Sequence, residues 1–109
     1  MQLAFHSAWL RTICESERIA KGELGGAAAE VLKHRLADMT AATSVSDLVA
    51  GRPRVLEGTP RDQMAVELCE GYVITFVANH TKNPITEPGD MDWKRVNRIK
   101  ILRIECDHG

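Results

Sequence analysis

Two adjacent side chains, Asp107 and His108, form a candidate acid/base pair directly after an apolar segment interleaved with cations. Between Trp93 and Ile104 lie Lys94, Arg95, Arg98, Lys100 and Arg103, with no acidic residue among them. Metal-free cleavage of RNA needs a group that deprotonates the 2′-hydroxyl, one that protonates the leaving 5′-oxygen, and cations that stabilise the phosphorane-like transition state. An imidazole serves either proton-transfer role near neutrality because its ordinary pKa is about 6.5. His108, Asp107 and the arginines and lysines of neighbouring strands can supply all three requirements without a metal or other cofactor.

These residues must be positioned by the elements before them. Met1 to Phe5 reads as a short strand, and Ser7 as the N-cap of a helix continued by Leu10, Ile13, Cys14 and Glu17. Gly22 and the pair Gly25-Gly26 are expected to interrupt it. A second helix is expected from Ala27 to about Ala41, where Ala28, Val31, Leu32, Arg35, Leu36 and Met39 recur at helical spacing. Arg35 is expected to lay its stem along this apolar stripe, and His34 to sit on the solvated side.

Thr43 to Pro60 is polar and turn-rich, with Arg54-Val55-Leu56 as a possible short strand. Met64, Val66 and Leu68 alternate, Glu70-Gly71 makes a turn, and Tyr72, Ile74, Phe76 and Ala78 alternate again, which predicts a β-hairpin. The last strand is expected to begin near Val96. Ile99 and Ile101 fall on one face and Leu102 and Ile104 on the other, so this strand carries a bulge or is covered on both sides. The order predicts one α+β domain over residues 1–109, with two helices on one face of a largely antiparallel sheet and the other face open for function.

Composition narrows the classes. The 109 residues, 44% of them hydrophobic, suffice for one core but exclude a two-domain dinucleotide enzyme. The N-terminus lacks the plan of a signal peptide and no apolar run approaches a membrane span, which predicts a cytoplasmic protein without membrane contact. Cys14, Cys69 and Cys106 are widely separated and match no zinc spacing, so reduced thiols are expected. A formal net charge of −1 argues against unaided capture of nucleic acid from solution, so a compact basic patch or a delivered substrate is needed. Phosphate-loop, nucleophile-elbow and zinc-helix motifs are all missing.

Met1-Gln-Leu-Ala-Phe-His-Ser7, Gly51-Arg-Pro-Arg54, Met64-Ala-Val-Glu-Leu68, Gly71-Tyr72, Ala78-Asn-His80 and Arg98-Ile-Lys-Ile101, in this order and with the terminal Asp107-His108, resemble the HigB-like branch of the RelE/ParE toxin superfamily. The resemblance runs along nearly the whole chain. It implies a RelE/ParE-like fold and a toxin of a bacterial type II toxin–antitoxin pair, acting as a ribosome-dependent, metal-independent mRNA endoribonuclease (an mRNA interferase) that inhibits translation. The implied partners are a cognate HigA-like antitoxin, in a toxin–antitoxin hetero-oligomer, and mRNA presented by the ribosome. Asp107 and His108 match the family's C-terminal acid and histidine, with Arg98 as a further catalytic cation. Arg54, His80, Lys100 and Arg103 match cations and a histidine near the concave sheet face and are assigned to RNA binding, together with Arg61, which lies two residues before Gln63.

Two departures stand out. Relatives commonly carry Arg after the hairpin tyrosine, where this chain has Val73, and Arg before the Met-Ala-Val segment, where it has Gln63. Alternatives within the same superfamily are a ParE-type toxin that inhibits DNA gyrase by protein binding, and a catalytically degenerate module that binds an antitoxin.

Overall fold

A computed structural model describes residues 1–56 and 63–106. Its elements run β1 (Gln2–Phe5), α1 (Ala8–Glu15), α2 (Glu17–Leu24), α3 (Gly26–Ala41), β2 (Arg54–Val55), β3 (Gln63–Glu67), β4 (Tyr72–Ala78) and β5 (Arg98–Cys106), with short 3₁₀ turns at Val45–Asp47 and Trp93–Arg95. The five strands form one sheet in the order β1-β5-β4-β3-β2. Adjacent strands are antiparallel except β1, which runs parallel to β5. The fold is therefore α+β with a mixed sheet.

The N-terminal helical region contains two helices where one was expected, and the third follows where the second was placed. Ser16 is the cause. Its backbone N–H closes α1 on the Thr12 carbonyl, while its hydroxyl accepts the Ile19 N–H at 3.3 Å and opens α2. Ser7 caps α1 as expected, accepting the Leu10 N–H at 3.1 Å. Gly22 lies inside α2 and does not break it; the break comes at Gly25, whose φ of 87° suits a residue without Cβ. Glu17, in the first turn of α2, pairs with Lys33 of α3 at 2.9 Å, and this hydrogen-bonded ammonium lowers the Glu17 carboxyl below its usual range.

One face of the sheet takes the helices. Met64 and Val66 of β3, Ile74, Phe76 and Ala78 of β4, and Ile99 and Ile101 of β5 meet Leu10, Ala20, Ala29, Leu32 and Met39 in a continuous core. Phe76 is fully buried and meets the Trp93 ring edge-on, at 6.5 Å between centroids. Arg35 does more than cover apolar surface: its Nε donates to the Glu67 carbonyl at 3.1 Å and ties α3 to β3.

The hairpin turn behaves as read. Glu70 and Gly71 both have positive φ, 57° and 81°, and the Tyr72 N–H donates to the Cys69 carbonyl at 3.0 Å, which is the two-residue turn that matches strand twist. β5 begins at Arg98 rather than Val96, and Val96 is fully buried ahead of it. Of the two explanations for the phase change along β5, a bulge is present. Thr75 pairs with Arg103 and Phe76 with Ile101, so Leu102 is an extra residue. Ile104 thereby returns to the core face opposite Ile74, and not to the other face.

Candidate polyanion-binding face

The bulge decides where the cations point. Side chains alternate between faces along a strand, so Arg98 and Lys100 share the face opposite Ile99 and Ile101. If alternation ran unbroken through Leu102, Arg103 would project into the core. Because Leu102 is unpaired, Arg103 joins Arg98 and Lys100 on the open face. This is a local rule of backbone geometry with a direct effect on surface charge.

Strand register then orders the open face into rungs. Lys100 is in line with Val77 and Gln63; Arg103 with Thr75, Ala65 and Arg54; Glu105 with Val73 and Glu67. Arg54 and Arg103 thus flank a floor made of Ala65 and Thr75, three strand spacings or about 14 Å apart along the rung. The next rung towards the hairpin turn is acidic at both ends.

Arg103 is fixed on two sides. Its Nη2 donates to Oε1 of Gln63 at 3.0 Å, reaching across β4 from β5 to β3, and its Nε donates to Oε1 of Glu105 at 3.1 Å. Thr75, beneath that crossing, is only 2% exposed. Glu67 pairs with Arg52 at 3.4 Å and approaches Arg54 at 3.9 Å. Arg98 and Lys100 make no ion pair among the described residues.

His80 follows β4 at the end of the sheet where β5 begins. Its Nε2 accepts the Asn97 N–H at 3.2 Å, which places the ring proton on Nδ1, and its own backbone N–H donates to Asn83 Oδ1 at 2.9 Å. The imidazole therefore pins the loop entering β5, and only Nδ1–H is left to meet a ligand. A cleft of about 460 Å³ lined by His80, Lys82, Asn83, Pro84, Ile85 and Arg95 opens beside it. Another hollow, of about 400 Å³, is lined by residues of α3, the segment after it and Val66 of β3, and includes none of the open-face cations.

Of the residues singled out from the sequence, Arg54, Arg98, Lys100 and Arg103 share the open face. Arg61, Asp107 and His108 lie outside the described residues. Sequence reading missed Gln63 as the partner of Arg103, and Glu67 and Glu105 as partners of the arginines. The one available signal was the strand period, which places Glu67 on the face opposite Met64 and Val66. No protein family, curated protein or solved structure matches this chain in the comparisons made.

Proposed function

We propose that this chain is the toxin of a bacterial type II toxin–antitoxin pair, with a RelE/ParE-like fold of the HigB-like branch, and that it cleaves mRNA on the ribosome. The observation that supports this most is the bulge-phased row of Arg98, Lys100 and Arg103 on an open sheet face, with Arg54 across from it. Cations spread along neighbouring strands, above Ala65 and Thr75 that are themselves covered, suit a strand of phosphodiesters better than a small-molecule pocket would. Delivery by the ribosome reconciles that face with a net charge of −1. In this reading His108 exchanges the proton with the reacting oxygens, Asp107 orients or complements it, and Arg98 stabilises charge on the phosphate. Arg54, Arg61, Lys100 and Arg103 hold the strand, and His80 contributes through Nδ1–H. A HigA-like antitoxin binds the toxin in the cytoplasm and neutralises it.

The test is 5′-end mapping of cellular mRNAs shortly after induction of this chain alone in a bacterial host, beside His108→Ala and Arg103→Ala forms. Codon-phased cuts in the parent that vanish with His108→Ala support the reading. Growth arrest with DNA damage and no new ends would replace it with gyrase inhibition. Harmless expression with tight antitoxin binding would replace it with a degenerate binding module.

A further inference from the structure

The acidic rung is not accounted for by phosphate binding, since Glu67 and Glu105 stand where a bound strand would meet negative charge. Both are in register with Val73, one rung from Arg54 and Arg103, and each contacts an arginine of the binding face. Their geometry is that of an internal counter-anion. A carboxylate on Arg103 Nε offers the same charge-assisted contact that a phosphodiester oxygen would offer.

Resting on the reading of the open face as a polyanion site, we propose that Glu67 and Glu105 are built-in competitors. They neutralise Arg54 and Arg103 while the face is empty, and a phosphodiester strand displaces them as it binds. The two bonds to Arg103 differ in kind. Gln63 is 9% exposed and neutral, so it keeps its grip on Nη2 when phosphate arrives. The Glu105 side chain is 60% exposed, so it can swing into water at little cost. The Glu67 side chain, 37% exposed and shared between Arg52 and Arg54, is released in the same way. The Arg54–Arg103 rung is thus neutralised in isolation while Arg98 and Lys100 make no ion pair among the described residues, which lowers the affinity of the face for stray nucleic acid and leaves tight binding to a substrate that is already presented.

Anisotropy of a fluorescein-labelled uridylate 12-mer tests this with the full chain and its Glu67→Gln, Glu105→Gln and doubly substituted forms across about 50–200 mM salt. Glu23→Gln, an exposed acid on α2, gives the same change in net charge away from the face and serves as the control. Each carboxylate removed from the face should tighten binding by about two- to fivefold, the range for release of one exposed ion pair. The slope of log K against log salt should steepen by about 0.7 for each arginine released to a phosphate, and the control should change neither as much. Equal gains in all three single variants would overturn the competitor role and leave the polyanion face standing, with bulk charge as the explanation. Weaker binding in Glu105→Gln would also overturn it, because the acid would then be needed to orient Arg103. Absence of binding in every form, the double variant included, would remove the polyanion face itself and the competitor with it.

Discussion

Replacing Gln63 should loosen the fold more than replacing Glu105, although only the latter belongs to a formal ion pair. Gln63 Oε1 lies 3.0 Å from Arg103 Nη2 and its side chain is almost wholly out of water. A hydrogen bond to a charged group contributes about 1.5–3 kcal/mol when well sheltered. The Arg103 side chain is 39% exposed, which reduces the coupling to about 1 kcal/mol. The Arg103–Glu105 contact has both groups in solvent and should couple by about 0.2–0.5 kcal/mol. Urea unfolding of the parent, Gln63→Leu, Arg103→Met and the double form yields the first coupling, and the matching Glu105→Gln cycle the second. With a slope of about 1–3 kcal/mol per molar urea, a 1 kcal/mol coupling shifts midpoints by about 0.3–1 M, well within measurement. At 1 M salt, where the screening length is about 3 Å, the Glu105 coupling should vanish and the Gln63 coupling persist. A Gln63 coupling below about 0.3 kcal/mol, or one that salt erases, would refute the assignment of Gln63 as the residue that fixes Arg103.

Other outcomes follow from single features. Deleting Leu102 should leave the fold intact, because the remaining residues of β5 then pair with β4 in unbroken alternation with every core residue still inward; a molten near-ultraviolet circular dichroism spectrum would contradict the bulge assignment. Gly51→Ala should destabilise by about 2–4 kcal/mol in thermal unfolding: φ is 86°, and a Cβ there would lie 2.5 Å from Val66 Cγ1 and 2.7 Å from the Glu67 carbonyl oxygen. Burial, reinforced by Glu15, pushes the Cys14 thiol up to about 12, so peptide mapping after alkylation at about pH 8 should find exposed Cys106 modified well before Cys14. The same shift means the unfolded chain loses this proton before the folded one, so stability contributed by the neutral thiol is complete below the ordinary thiol range and declines as pH rises towards about 12. A flat stability profile over that range would contradict it.

Local signals carried much of the architecture. The hairpin was legible because alternation on both sides of Glu70-Gly71 left no other way to bury Val66, Ile74 and Phe76 together. The phase slip between Ile101 and Leu102 announced a bulge or a doubly covered strand, and pairing with β4 was needed to choose between them. Ser16 was harder, since Cys14 and Glu17 continue the helical period past it and nothing nearby marks a serine that ends one helix and starts the next. Parallel pairing of β1 with β5 left no local trace, as it depends on residues at opposite ends of the chain. Arg54 was reached only through the resemblance, whereas the other three open-face cations, Arg98, Lys100 and Arg103, were legible as a run with charge but no acid. Their partners were not: Gln63 meets Arg103 across a separation of 40 positions, a relation that no window of sequence contains.

The position of β5 in the sheet also sets when the face comes into being. Gln2 lies beside Arg98, and β5 separates β1 from β4, so the sheet stays open as two unconnected pieces until the last strand is made. Pairing of such distant segments is slow to nucleate, and synthesis proceeds at about 5–20 residues per second. A nascent chain therefore carries its helices and the β3–β4 hairpin for seconds before Arg98, Lys100 and Arg103 exist to line up opposite Arg54. Until then β1 and β4 each expose an unpaired edge, a surface that a partner strand can occupy before β5 arrives. The order of the strands acts as a clock: the charged face is assembled last, and whatever meets the chain during synthesis meets it without that face.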